Sequence, residues 1–224
     1  MKITFYGHAS LGIETNGKTI IVDPFITANE LASHININDL KADYILLTHA
    51  HGDHVLDVEA IAKNTGATIV SNAEIATYYA NKGFTSHPMN HGGSWQFDFG
   101  KVKYVNAIHS SSFPDGTYGG NQGGFVIEAD KNIYIAGDTA LTFDMKLIPL
   151  RTKLDLAIFP LGNNFTMDAE DAVIAADFVE CNNVLGYHFD TFGYIKIDHQ
   201  ATEKLFTDKG KQLTLLEIGS SIEL

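Results

Sequence analysis

The chain has 224 residues, 45% hydrophobic, 11% aromatic and 19% charged, enough length and apolar mass for a folded core and unlike a disordered or low-complexity protein. The net charge is −12 and Arg151 is the sole arginine, which argues against a nucleic-acid partner but leaves a small anionic substrate open. No apolar run reaches the roughly 18 residues of a membrane span, and Cys181, the only cysteine, excludes an internal disulfide and points to a reducing compartment, the cytoplasm.

The opening, MKITFYGHAS, passes straight into an alternating strand pattern, so no signal peptide is expected. Short β-rich runs follow in order: KITFYG, LGIET, KTIIVD and DYILLTH. A helix is predicted over about 55–64 and another near 72–82, closed by Gly83. Strands resume at KVKYVNAIH, GGFVIEA, NIYIAGD and LDLAIFPL. A helix starts near Asp168, with Asp171 in its first turn, and runs to about Cys181, which reads as core packing. Another runs from Asp198 to Gly210, and LTLLEI is the last strand.

The two halves look alike. In each, a strand ends in His and then a small residue (His8, His109). A strand containing Ile-Glu, a tight turn and a strand ending in Asp (Asp23, Asp138) follow, and ADYILLTHA then matches LDLAIFPLG. We infer two related β halves, packed as two sheets with helices outside, in one domain over residues 1–224.

The chemistry concentrates in LLTHAHGDHVLD, which puts His49, His51, Asp53 and His54 into six positions. Desolvating so many polar groups without a partner is costly. In a tight turn His49 and His51 can point the same way, with Gly52 permitting the bend, while Asp53 and His54 aim at a neighbouring point. Four ligands in one turn suggest two metal ions, and imidazole with carboxylate suits Zn²⁺, Mn²⁺ or Fe²⁺. His109, Asp138 and His188, each after a strand, supply the further candidates.

THAHGDH has the HxHxDH form of the metallo-β-lactamase-fold superfamily, which this chain resembles over nearly its whole length. His109, Asp138 and His188 fall in that family's order, and VDP at Asp23 matches its early aspartate. GHAS, GDT and PLGNNFTMDAEDA look like a narrower branch of metal-dependent hydrolases, similar to the ascorbate-6-phosphate lactonases. The resemblance implies an α+β fold, a four-layer αββα sandwich with a dinuclear site at one edge. It also implies that His49, His51 and His109 hold one ion, that Asp53, His54 and His188 hold the other, and that Asp138 bridges them. The ions expected are zinc first, with manganese or iron as alternatives. Redox members carry Glu where this chain has His51, which favours hydrolysis.

Two such ions sharing a water lower its pKa towards roughly 7 and yield a hydroxide nucleophile. Asp53 would orient that hydroxide and accept its proton, and Asp23 would hold the histidine loop by hydrogen bonds. His8 is open between a catalytic or pocket-wall role and a structural one. Asn163 and Asn164, in the repeat equivalent of the histidine loop, are open between facing the pocket and forming a plain turn. The loop SSSFPDGTYGGNQGG is either a substrate lid or a surface loop, and His34, His87, His91 and His199 read as surface or loop residues. The expected activity is hydrolysis of a small ester, lactone or phosphate-bearing metabolite. Phosphodiester or nuclease action, thioester hydrolysis and a non-catalytic metal-binding sensor are the alternatives. Homo-oligomerisation is left open.

Overall fold

A computed structural model describes residues 1–224. The first half contributes β1 (Lys2–Gly7), β2 (Ser10–Thr15), β3 (Lys18–Val22), β4 (Tyr44–Leu46), α1 (Gly52–Val55), α2 (Val58–Thr65), β5 (Thr68–Asn72), α3 (Ala73–Asn81) and β6 (Ser86–Met89). The second contributes β7 (Ser94–Phe97), β8 (Gly100–Asn106), β9 (Gly123–Glu128), β10 (Asn132–Ile135), β11 (Leu156–Pro160), α4 (Ala169–Phe178), β12 (Asn183–Tyr187), α5 (His199–Asp208), β13 (Gln212–Thr214) and finally β14 (Ser221–Glu223).

The strands form two seven-stranded sheets, ordered β14-β1-β2-β3-β4-β5-β6 and β13-β12-β11-β10-β9-β8-β7. In each half the leading strands pair antiparallel (β1-β2-β3, β8-β9-β10) and the following ones parallel (β3-β4-β5-β6, β10-β11-β12-β13). The internal repeat is therefore a repeat of pairing. Its one asymmetry is β14, where the chain end returns to pair with β1 as β7 pairs with β8.

Successive strand residues face opposite sides of a sheet, so sheets covered on both faces need strands apolar throughout. In β3, Ile20 and Val22 join the central core between the sheets, with Ile13, Phe125, Ile133 and Tyr187. Ile21, between them, faces α2 and α3, where it meets Ile61, Ile75 and Tyr79. The outer face of the second sheet packs Val126, Tyr134 and Phe159 against Ala172 and Ala176 of α4 and Phe206 of α5. Helix, sheet, sheet and helix make the four-layer α+β sandwich expected.

Several local expectations change. The helix expected over 55–64 is two pieces, α1 and α2, broken at Leu56–Asp57. The strand expected over LTLLEI stops at Thr214. Cys181 lies just past α4 rather than inside it, and is buried in the core as expected. Strands β5, β6, β7 and β14 add to those the sequence pattern predicts. β5 is buried along most of its length, so it shows no alternation. β6 carries Pro88 on the sheet's edge, where a missing N–H is tolerated.

Candidate metal centre

Each expected site residue lies at or just past the C-terminal end of a strand: His8 after β1, Asp23 after β3, the histidine turn after β4, His109 after β8, Asp138 after β10 and His188 after β12. Three of these residues are non-glycines with left-handed backbone: His8 (φ 54°), Asp23 (φ 43°) and His188 (φ 54°). Such conformations are costly and persist where the surroundings over-determine them, commonly at functional sites.

Asp23 organises the histidine turn. Its buried carboxylate accepts from the Thr48 amide (2.8 Å), the Thr48 hydroxyl (2.6 Å) and His54 Nδ1 (2.9 Å). With the Thr48 proton given to Asp23, His49 Nδ1–H donates to Thr48 Oγ1 at 3.0 Å. Both His49 and His54 therefore carry their protons on Nδ1 and turn a bare Nε2 inward. His51 contacts Ser110 Oγ through Nε2 (3.2 Å) and brings Nδ1 to 3.0 Å from His49 Nε2. Tyr104 donates its buried hydroxyl to the Thr48 carbonyl (3.1 Å), and the Gln122 amide donates to the Asp138 carbonyl.

The side chains gather in overlapping groups. Single ligand atoms of His49, His51 and His109 lie within 4.8 Å of one another, as do those of His8, Asp53, His54 and His188. Asp138 stands between the groups. Its Oδ1 is 3.4 Å from His54 Nε2, and its Oδ2 is 3.0 Å from His188 Nε2, 3.7 Å from His109 Nε2 and 4.0 Å from His49 Nε2. All seven residues expected as metal ligands are thus brought together.

His8 joins the second group, although the repeat sets it opposite His109. It places Nε2 3.1 Å from Asp53 Oδ2 and Nδ1 3.0 Å from Thr191 Oγ1, and its ring lies against His188, centroids 4.1 Å apart. Asn163 and Asn164 do not join: they are exposed, and Asn163 Oδ1 accepts from the Asn164 amide. The loop after His109 is tied to the histidine turn. Ser111 Oγ accepts from the Ala50 amide and donates to the Gly119 carbonyl, and a Cβ at Gly119 would collide with Ala50 and Ser111. Of the histidines outside the motif, His199 pairs with Asp190 (2.6 Å), and His91 reaches the Gln122 carbonyl (2.7 Å) while stacked on Tyr104.

Burial, then the neighbouring His54, pushes His49 well below its ordinary pKa, and burial also lowers His51 and His109. Burial and His188 push His8 down to about 4. His54 moves up despite burial, because Asp138 and Asp23 flank it. Burial alone would raise Asp138, but His188 and His54 hold it well below the usual carboxylate range. Asp53 is likewise held low against burial, by His8 and His54. Burial thus disfavours the charged form of His8, His49, His51 and His109, while the carboxylates around His54 favour positive charge there.

His54 Nε2, Asp138 Oδ1 and both ring nitrogens of His188 are buried without hydrogen-bond partners. Buried polar atoms are normally satisfied, so three orphans facing one another, His54 Nε2, Asp138 Oδ1 and His188 Nε2, need an explanation. Cations accepting their lone pairs supply it, and imidazole with carboxylate is a donor set that suits zinc, manganese or iron.

Sequence reasoning missed three supporting residues. Asp57, buried at the α1–α2 break, accepts from the amides of Ile26 (2.6 Å) and Thr27 (2.9 Å) and from the Thr27 hydroxyl (2.5 Å), fixing the chain after Asp23. Its signal was its place three residues after His54. Gln122 and Thr191 stand in no motif.

Residues 2–188 match the family model of the beta-lactamase superfamily domain. The chain is 80% identical to a UPF0173 metal-dependent hydrolase of Flavobacterium johnsoniae and 68% identical to one of Christiangramia forsetii, over the full length of each chain. Among solved structures it is similar to Igni18, a metallo hydrolase of Ignicoccus hospitalis, with 31% identity, a TM-score of 0.90, and 100% of this chain and 98% of that one covered. The fold alone is shared with an isothiocyanate hydrolase from Delia radicum gut bacteria, at 18% identity and a TM-score of 0.80, covering 100% of this chain and 99% of that one. The chain belongs to the metallo-β-lactamase-fold superfamily and, within it, to the UPF0173 metal-dependent hydrolases.

Proposed function

We propose that residues 1–224 form one hydrolase domain that binds two divalent ions and cleaves a small ester, lactone or phosphate-bearing metabolite. The observation that carries this is the set of buried, unpartnered nitrogen and oxygen atoms of His54, Asp138 and His188 beside the His49–His51–His109 group. His49, His51 and His109 would hold one ion, Asp53, His54 and His188 the other, with Asp138 shared; zinc is the first candidate, then manganese and iron. When bound, the ions supply Lewis acidity, lowering the pKa of a shared water towards about 7 and polarising the scissile oxygen.

The chain's own residues do the rest. Asp53 is the least buried carboxylate of the cluster, with its side chain 30% exposed, so it is the one placed to orient an attacking water. His8, neutral near pH 7 and set with Nδ1 3.0 Å from Thr191 Oγ1, holds Asp53 through an Nε2–Oδ2 contact of 3.1 Å, which fixes that carboxylate. His8 is thus a positioning residue for Asp53. The net charge of −12 favours a small-molecule substrate over nucleic acid, and the single buried cysteine fits a cytoplasmic enzyme.

The test is elemental mass spectrometry of the purified protein beside a His51→Ala, Asp138→Ala variant, followed by a screen of esters, lactones and phosphorylated metabolites. About two metals per chain, lost in the variant, together with turnover of one class, supports the proposal. Little metal after reconstitution with zinc and manganese overturns it and favours a non-catalytic role. His8→Ala is expected to keep the metal and to lower kcat about 10- to 100-fold, as loss of a group that orients a metal ligand typically does. Unchanged turnover, or loss of metal, would rule out His8 as the residue that positions Asp53.

A further inference from the structure

Beside the metal centre lies an open cleft of about 840 Å³, walled by Leu31, Phe165, Phe192 and Tyr194. These are four of the large apolar side chains the fold leaves in solvent: Leu31 is 52% exposed, Phe165 53%, Phe192 37% and Tyr194 78%. Apolar groups gathered around one concavity mark a binding surface, unlike scattered exposed ones. The cleft borders the site through Thr191 and Phe192. Thr191, in its wall, is bonded to His8 Nδ1, and the Phe192 ring stands edge-on to His8 at 5.2 Å, with Asp53 on the far side of that imidazole.

The walls are pre-set. Phe165 follows Asn163 and Asn164, both left-handed (φ 58° and 53°), and Phe192 follows His188 and Asp190, also left-handed (φ 54° and 61°). Asp190 closes its loop by accepting from the Ile197 amide (3.1 Å) and pairing with His199 (2.6 Å), so its charge is spent within the loop. Phe165 and Tyr194 meet at 76°, centroids 6.4 Å apart, and so offer a planar guest one face and one edge, the arrangement aromatic pairs prefer. The remaining charges, Glu30 and Lys196, are of opposite sign, which favours a neutral guest.

Resting on the hydrolase reading of the metal centre, we propose that this cleft is the substrate-selecting pocket of that site, and that it takes a neutral aryl or arylalkyl group carried by the ester or lactone cleaved at the cluster. Phe165 and Tyr194 set the preference without touching the reacting atoms.

The test compares metal-loaded wild type with a Phe165→Ala, Tyr194→Ala variant, both positions being exposed enough to leave the fold intact. Two matched pairs are assayed: methyl 3-phenylpropanoate against methyl propanoate, and 3-phenylpropyl acetate against propyl acetate. Wild type is expected to favour the phenyl member of at least one pair by about tenfold or more in kcat/KM, as a filled apolar pocket gives. In the variant that preference shrinks to about twofold or less while the alkyl rates hold. No preference in wild type, or one that survives in the variant, overturns the proposal. If no ester is cleaved, the hydrolase reading is at fault, and binding of 3-phenylpropanol by saturation-transfer NMR decides the pocket. A signal in wild type that the variant loses upholds the aryl pocket, whereas no signal, or an equal one in both, overturns it. Sedimentation velocity that shows the variant dissociating into smaller species also overturns it, by making this face a contact between copies of the chain.

Discussion

Asp23 and Asp138 occupy equivalent places, each just past the strand where antiparallel pairing gives way to parallel, yet their surroundings differ completely. Every contact of Asp23 is with a protein donor: the Thr48 amide, the Thr48 hydroxyl and His54 Nδ1. Asp138 is faced by four imidazoles, and its Oδ1 is buried without a hydrogen bond. One scaffold position, used twice, gives a carboxylate spent on anchoring the histidine turn and a carboxylate left facing the histidines, the one proposed above as a metal ligand. The turns after β4 and β11 diverge likewise. The first carries the histidine cluster; the second is exposed, carries Asn163 and Asn164, and ends on Phe165 at the cleft. Repetition of the backbone fixes where side chains converge, and the side chains alone decide what converges there.

The contrast breaks most visibly at Asp138. Asp138→Ala is expected to remove at least one metal per chain and to lower kcat/KM about a thousandfold, since several kcal/mol of transition-state stabilisation depend on the ions and each decade is about 1.4 kcal/mol. Steady-state kinetics beside metal analysis checks this. Metal binding should also appear as stability. At free metal a thousand times Kd the folded wild type gains about 4 kcal/mol, and chelation reverses the gain. Calorimetry with and without chelator should show that shift in wild type and a smaller one in Asp138→Ala.

Asp23→Ala should behave differently. It strands the buried donors of Thr48 and His54, so the metal-free protein is expected to lose about 3 kcal/mol in urea unfolding. Metal affinity should fall about 10- to 100-fold as the His54 ring loses its anchor, read by chelator competition. Metal-free stability equal to wild type would make the two aspartates alike and undo the comparison. The smallest effect is expected at Asn163→Gly. The left-handed backbone there suits glycine, so the unfolding midpoint should correspond to a change within about 1 kcal/mol, with metal content unchanged.

Much of the site was legible because its residues are clustered in sequence. His49, His51, Asp53 and His54 sit in one turn, and the order of His109, Asp138 and His188 pointed to the rest. The strands that could be read, such as KITFYG and NIYIAGD, carry their pattern within one segment. SHPM and SIE do not: β6 and β14 are strands only because β5 and β1 lie beside them to receive their hydrogen bonds. Asp57, Gln122 and Thr191 escaped for a related reason, since each acts through a partner at least 16 residues away that no local pattern names.

The sequence by itself determined the two-sheet layering and the identity of the seven clustered residues. Hydrophobic periodicity and ligand chemistry are properties of the residues and survive in a linear string. Only the tertiary structure decided that His8 belongs with Asp53 rather than with His109's group, that Asp23 spends its lone pairs on the protein while Asp138 does not, and that Phe165, Phe192 and Tyr194 wall one cleft. Those outcomes depend on distances of a few ångströms between segments far apart in the chain, and packing alone sets such distances.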